Sequence, residues 1–155
     1  MGIPEEGQKA PEFKLGASNG KAVSLKDYQG KSRVVLYFYP KDDTPGCTVE
    51  ACAFRDSIKK IETLDAVVLG VSPDAEPSHR KFVEKFKLPF LLLSDTDKKV
   101  CNDYGVWVEK SMYGRKYMGV ERTTFILDKR GRIKHIFPKV KVQGHVQEVL
   151  YALAV

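Results

Sequence analysis

A cysteine that follows a turn and opens a helical pattern is the chemically most informative residue of this sequence. Residues 40–52 (PKDDTPGCTVEAC) place Cys47 in the first turn of a predicted helix. The first N–H groups of a helix lack partners within the helix, and the helix dipole adds positive potential there. Both effects favour the thiolate, which is the nucleophilic form of cysteine. Cys47 is therefore a candidate nucleophile, and its polar neighbours argue against a buried cysteine that only packs.

A buried strand is predicted to lead into this turn. Residues 33–39 (RVVLYFY) form a continuous β-branched and aromatic run that ends at Pro40, which is typical of a strand covered on both faces. After the turn, apolar residues recur at helical spacings of three and four, at Ala51, Phe54, Ile58 and Ile61. Ligands usually bind beyond the carboxyl ends of strands in open α/β sheets, so we expect Cys47 at such a crevice.

The rest of the chain alternates between strand and helix patterns. A hairpin is predicted around Asn19 and Gly20, and further strands are predicted at 66–71, 91–93, 123–127 and 133–137. Helices are predicted from Pro77 onward, over 98–104 and over 144–154. This order predicts the α/β class, with a central mixed β-sheet flanked by helices and an N-terminal β-hairpin. The arrangement is compatible with a thioredoxin-like fold.

The composition predicts one globular domain over residues 1–155, because 43% of the residues are hydrophobic and 30% are charged. The apolar runs are too short to span a bilayer and the N-terminus lacks a secretory pattern, so we expect a cytoplasmic protein without a membrane partner. The net charge of +6 comes from dispersed basic residues, which predicts a solvated surface and no specific nucleic-acid partner.

The cysteine motif and a distant arginine segment resemble those of the peroxiredoxins. Pro40, Thr44 and Cys47 match the Pro-x-x-x-Thr-x-x-Cys motif of that family, and residues 119–126 (GVERTTFI) look like its arginine-bearing segment. Cys52 resembles the resolving cysteine of the bacterioferritin-comigratory, or peroxiredoxin Q, branch. The resemblance covers nearly the whole chain, and it implies a thioredoxin-like fold.

The resemblance also implies an activity. It implies a thiol-dependent peroxidase that reduces hydrogen peroxide and organic hydroperoxides in antioxidant defence. It implies no metal, haem or flavin cofactor, and a thioredoxin or glutaredoxin-like protein as the reductant. We expect a monomer, with a weak dimer as the alternative.

The family roles extend to the matching positions. The resemblance implies that Cys47 attacks a peroxide oxygen and becomes a sulfenic acid, that Thr44 orients the peroxide, and that Arg122 stabilises the charge that moves onto the leaving oxygen. Pro40 would shield the pocket or merely end the strand, and Thr44 is also a candidate helix N-cap. Glu50 has two open interpretations: an ion pair that orients an arginine, or a favourable charge near the helix N-terminus.

Cys52 is implied to attack the sulfenic acid and form an intramolecular disulfide that the reductant opens, with core packing as the alternative role. In one regular helix, the Cα atoms of Cys47 and Cys52 would lie about 8.7 Å apart on different faces. A disulfide needs Cα atoms within about 7 Å. Unless the helix begins after Cys47, it must unwind in each cycle. We expect easy unwinding, because the apolar stripe begins only near Ala51.

Several other interpretations stay open. Cys101 is interpreted as a packed free thiol with a back-up resolving or regulatory role as the alternative, and His79, His135 and His145 as surface or structural histidines without a second metal ligand. A disulfide oxidoreductase is disfavoured because the first two cysteines do not form a Cys-x-x-Cys motif. A holdase or basic binding module would not need the nucleophile, and a Cys-His hydrolase lacks a recognisable histidine motif.

Overall fold

The chain folds around β-strands connected by helices, in the order that the sequence patterns predict. A computed structural model describes residues 3–155. The strands in this range are β1 (Lys14–Ala17), β2 (Ala22–Ser24), β3 (Arg33–Phe38), β4 (Ala66–Ser72), β5 (Leu91–Ser94), β6 (Trp107–Met112), β7 (Arg115–Val120), β8 (Thr123–Leu127) and β9 (Ile133–Phe137). The α-helices are α1 (Pro45–Asp56), α2 (Ile58–Thr63), α3 (Glu76–Phe86), α4 (Lys99–Asp103) and α5 (His145–Ala154).

Seven strands form one mixed sheet in the order β2-β1-β5-β4-β3-β8-β9. The neighbours β3, β4 and β5 are parallel, whereas β1 pairs with β5 and β8 pairs with β3 in antiparallel fashion. Parallel strands need crossover connections, and α1 with α2 and then α3 supply them. Because β3 lies between β4 and β8, its carboxyl end and the turn into α1 lie near the middle of one sheet edge.

Alternate residues of β3 face two separate cores. Val35 and Tyr37 pack in the core that contains α1, α2, α3 and α5, together with Phe54 and Phe82. Leu36 faces the other core, which contains α4. Helices therefore cover both faces of the sheet, which confirms the predicted α/β architecture.

Three details differ from the expected elements. The apolar pattern that predicted one helix is divided into α1 and α2 at Ser57, whose dihedral angles (φ −107°, ψ 6°) leave the helical region. Periodicity cannot reveal this break, because the same apolar spacing continues across it. A 3-10 helix at Leu25–Tyr28 follows β2, and β6 with β7 forms a separate two-stranded sheet. No helix in residues 3–155 is long and apolar enough to cross a membrane.

Candidate active site

Cys47 lies in the first turn of α1, directly beyond the carboxyl end of β3. Pro45 occupies the first helical turn, where a missing N–H costs little, and the Thr48 N–H donates to the Thr44 carbonyl oxygen (2.8 Å). The helix therefore begins before the cysteine, as predicted. The Cys47 side chain is nevertheless only 2% exposed and belongs to the core beneath α1. Its polar neighbours in the sequence did not indicate this burial, but the contact with Arg122 described next agrees with the expectation that Cys47 does more than pack.

Arg122 reaches the thiol from the segment between β7 and β8. Its Nη2 lies 3.4 Å from the Cys47 Sγ. The backbone at this position is fixed, because the Val140 N–H donates to the Arg122 carbonyl oxygen (2.8 Å). Gly46 leaves room for the guanidinium, since a Cβ at that position would lie 3.2 Å from Nη2. The guanidinium can thus donate to a thiolate and to negative charge that develops beside it.

Glu50 holds the other side of the same guanidinium. Its Oε1 accepts a hydrogen bond from Arg122 Nη1 at 2.7 Å, and the carboxylate side chain is 1% exposed. Of the two interpretations that the sequence left open, the structure shows the ion pair. Burial raises the pKa of Glu50 to about 7, against the opposing effect of Arg122. Burial lowers the pKa of Arg122, but the charges of Glu50 and Cys47 outweigh this effect and raise it above its usual value.

Thr44 and Pro40 belong to the turn that leads from β3 to Cys47, and both are half-buried. Thr44 is the N-cap residue of α1, yet its hydroxyl makes no capping bond. It donates instead to the Lys41 carbonyl oxygen at 2.9 Å. Because its proton is engaged, the hydroxyl oxygen retains lone pairs that can accept a hydrogen bond from a ligand. A peroxide O–H group is a donor of this kind.

The β6–β7 hairpin brings a further residue toward the site that the sequence analysis missed. Lys110 is half-buried in β6, opposite Tyr117 of β7. Burial lowers the pKa of Lys110, and the charge of Arg122 lowers it further, whereas Cys47 acts in the opposite direction. Lys110 therefore lies within electrostatic range of both groups. The sequence could not indicate that Lys110 lies near the site, because the direction of the β6–β7 hairpin relative to α1 depends on the tertiary structure.

Cys52 shares α1 with Cys47, and all three cysteines are free thiols. Ideal helix geometry separates the two Cα atoms by about 8.7 Å, beyond the range of a disulfide. The expectation that the first turn is weakly packed is wrong, because Cys47 and Glu50 are both buried. Unwinding this turn would expose the Cys47 side chain and separate Glu50 from Arg122.

Cys101 lies in α4, in the core on the opposite face of the sheet from Cys47. It is fully buried, and burial raises the pKa of its thiol far above the usual value. The thiolate is therefore strongly disfavoured, and the sheet separates it from the nucleophile. The structure agrees with a packed free thiol and gives no support to a resolving role for Cys101.

Two of the three histidines are buried. His145 is 1% exposed and contacts the Thr124 hydroxyl through Nε2 at 2.8 Å. Burial lowers the pKa of His145. His79 is 0% exposed, and its potential ligand atom lies within 4.8 Å of those of Asp42 and Asp74. This corrects the expectation that no histidine has a second candidate metal ligand nearby, since residues distant in sequence meet there.

Comparison with known proteins finds relatives that match nearly the whole chain. The model of the AhpC/TSA family matches residues 6–136. Peroxiredoxin Bcp of Bacillus subtilis (strain 168) is 54% identical over 149 residues, which cover 96% of this chain and 94% of the relative. The putative peroxiredoxin Bcp of Coxiella burnetii is 55% identical over 146 residues, which cover 94% of this chain and 96% of the relative.

Solved structures agree with the predicted thioredoxin-like fold. A mutant of PrxQ from Xylella fastidiosa superposes with a TM-score of 0.90 at 38% identity, covering 99% of this chain and 96% of its own. Xanthomonas campestris bacterioferritin comigratory protein superposes with a TM-score of 0.87 at 39% identity, covering 92% and 90%. The chain therefore belongs to the AhpC/TSA family, in its Bcp or peroxiredoxin Q branch, and is a thiol-dependent peroxidase.

Proposed function

We propose that Cys47 is the peroxidatic cysteine and that Arg122 activates it. The observation that carries this assignment is the bridging guanidinium, with Nη2 3.4 Å from Sγ and Nη1 2.7 Å from Glu50. The thiolate attacks one peroxide oxygen, the O–O bond breaks, and an S–O bond forms. The leaving oxygen takes a proton and departs as water or an alcohol, and Cys47 becomes a sulfenic acid. A preorganised donor at this position stabilises the charge on the leaving oxygen.

Thr44, Glu50 and Pro40 support this step in the proposal. Because the Thr44 hydroxyl donates to the Lys41 carbonyl oxygen, it is oriented to accept from the peroxide O–H. Glu50 fixes the direction of the guanidinium, and its burial keeps this contact out of water. Pro40 contributes an apolar ring at the start of the same turn, which limits access of water.

Cys52 completes the cycle in the proposal. After the first turns of α1 unwind, its thiolate attacks the sulfenic sulfur, an S–S bond forms and the S–O bond breaks. The leaving hydroxide takes up a proton and departs as water. The distance of about 8.7 Å between the Cα atoms on the intact helix makes this unwinding necessary. A thioredoxin-type protein then reduces the disulfide by thiol–disulfide exchange.

The substrate class follows from the relatives. The Xanthomonas campestris protein has alkyl peroxide reduction activity, and we extend organic hydroperoxides, with hydrogen peroxide, to this chain. We also propose that the chain acts as a single-domain monomer in the cytoplasm, in antioxidant defence, without a bound cofactor. Its free thiols suit a reducing compartment, where a thioredoxin or glutaredoxin-like reductant is at hand.

Intact mass after stoichiometric peroxide tests the assignment. The reduced protein should lose two hydrogens and form a Cys47–Cys52 disulfide. Cys52→Ser should stop at the mass of a sulfenic acid, and Cys47→Ser should not react. Cys101→Ser is the matched control and should behave like the parent. Oxidation of Cys47→Ser at the parental rate, or a disulfide that includes Cys101, would contradict the proposal.

A further inference from the structure

A buried polar cluster lies behind the turn that carries Thr44, and no step proposed above uses it. His79, in the first turn of α3, is fully buried and places Nδ1 2.7 Å from Asp42 Oδ2. Ser78 donates to the same oxygen at 2.8 Å, and Tyr39 donates to Asp42 Oδ1 at 2.5 Å. Tyr39, directly after β3, and Ser78 and His79, in α3, therefore all contact the carboxylate of Asp42.

Both ring nitrogens of His79 contact an acceptor. Its Nε2 lies 2.9 Å from the carbonyl oxygen of Leu93 in β5, which can only accept, so Nε2 carries a hydrogen. A hydrogen must also lie between Nδ1 and the Asp42 carboxylate, because neither could otherwise donate at that distance. The ring is thus held from both nitrogens. A cation bound to Asp42 and His79 would have to displace these contacts, which argues against a metal site.

Asp42 in turn fixes the backbone that leads to the nucleophile. Its N–H donates to Asp74 Oδ2 at 2.8 Å, and that oxygen also accepts from Ser72 at 2.7 Å. The next residue, Asp43, has a φ of +55°, which is unfavourable for a residue other than glycine. Anchors on Asp42 can hold this conformation in place. Thr44, the proposed peroxide-orienting residue, comes directly after it.

We propose that His79 is a positioning residue for the peroxide step, acting through Asp42 on the backbone that carries Thr44. The cluster joins the turn before α1 to α3 and includes no residue of α1, so it belongs to the side of the site that stays folded while α1 unwinds. His79 therefore affects the reaction of Cys47 with peroxide and does not affect the rate at which Cys52 forms the disulfide. The inference rests on the proposed roles of Cys47 and Thr44.

Two amide substitutions of His79 distinguish the effects of the two hydrogen bonds that its ring makes. An asparagine amide nitrogen is as many bonds from Cα as Nδ1, and a glutamine amide nitrogen is as many bonds from Cα as Nε2. His79→Asn should keep the donor to Asp42 and lose the bond to the Leu93 carbonyl. His79→Gln should keep the bond to Leu93 and lose the donor to Asp42. Both variants remove the ring and one of its two hydrogen bonds, and they differ in which bond is lost.

The experiment measures two rate constants in single turnovers of the reduced protein, by rapid quenching and intact mass. We expect His79→Gln to react with peroxide about tenfold or more slowly, since a misplacement of about 1 Å can cost about 10²-fold. We expect the peroxide rate constant of His79→Asn to stay within about threefold of the parental value, because this variant keeps the contact with Asp42. Disulfide formation should proceed at the parental rate in both. Urea denaturation of both variants records any difference in stability.

Tyr39→Phe keeps the inference testable if His79→Gln does not fold, because it removes one donor to Asp42 without changing the core volume. It should slow the peroxide step and leave the disulfide step unchanged. Equal peroxide rates in the parent, His79→Gln and Tyr39→Phe would overturn the inference, and so would equal losses in the two amide variants. Failure of the proposed function looks different: the parent itself would not oxidise at Cys47.

Discussion

Val49 offers a clean way to test whether α1 must unwind before the disulfide forms. It lies in α1 between Cys47 and Cys52, and its side chain is 58% exposed. A substitution at this position changes the stability of the helical state and removes little packing. We therefore compare Val49→Ala, which should strengthen the helix, with Val49→Gly, which should weaken it.

The size of the effect follows from helix propensities. Valine is less favourable than alanine by about 0.6 kcal/mol in a helix interior, and glycine by about 1 kcal/mol. The two variants should therefore differ by about 1 kcal/mol in the free energy of unwinding, which corresponds to about fivefold in the equilibrium constant. If unwinding precedes the attack of Cys52, Val49→Gly should form the disulfide about five times faster than Val49→Ala, with the parent between them.

The assay is a single turnover of reduced protein with stoichiometric peroxide, quenched at intervals and analysed by intact mass. It separates the rise of the sulfenic acid from its conversion to the disulfide. The peroxide step should be similar in all variants, because it takes place on the folded helix. Lys81, an exposed residue of α3, provides the control: its alanine and glycine variants should differ in overall stability and form the disulfide at equal rates.

Identical rates of disulfide formation in Val49→Ala and Val49→Gly would refute the unwinding argument. Hydrogen exchange gives an independent check. Amides of residues 44–56 should lose protection in the disulfide form, while amides of α3 keep it. Equal protection of the α1 amides in both redox states would also refute the unwinding argument.

Three further predictions concern charge. Arg122→Met should slow the reaction of Cys47 with peroxide by about 10²–10³-fold, measured by stopped-flow, because it removes a preorganised donor; a parental rate would contradict its role. Since burial raises the pKa of Glu50 from 4.5 to about 7, ionisation of Glu50 costs the folded state stability as pH rises through that range. In urea unfolding, the free energy of unfolding of Glu50→Gln should rise relative to that of the parent by at most about 3 kcal/mol between pH 4.5 and about 7. A difference that stays constant with pH would contradict the prediction. Since burial lowers the pKa of His145, the folded state should lose stability as pH falls below the unfolded value of about 6.5. His145→Gln should lack this loss, and an unchanged acid profile would contradict it.

The sequence alone predicted most of the secondary structure around the nucleophile. A continuous apolar run predicted β3, apolar spacings of three and four predicted α1, and the turn between them placed Cys47 at the helix N-terminus. These predictions succeed because strand and helix periodicity is a property of neighbouring residues. The same locality explains the failures. The break at Ser57 leaves the apolar spacing intact, and the burial of Cys47 depends on what the first turn of α1 packs against.

Contacts between distant parts of the chain were decided only by the tertiary structure. Arg122 was assigned from a family resemblance, because nothing near it in sequence indicates a partner 75 residues away. Whether Glu50 forms an ion pair or only places a charge near the helix N-terminus depended on the position of the Arg122 guanidinium. The contact of Asp42 with His79 joins residues 37 positions apart and was not foreseen. Such contacts follow from strand order and register, which bring β3, β4 and β5 side by side, and periodicity within single elements does not specify which strands become neighbours.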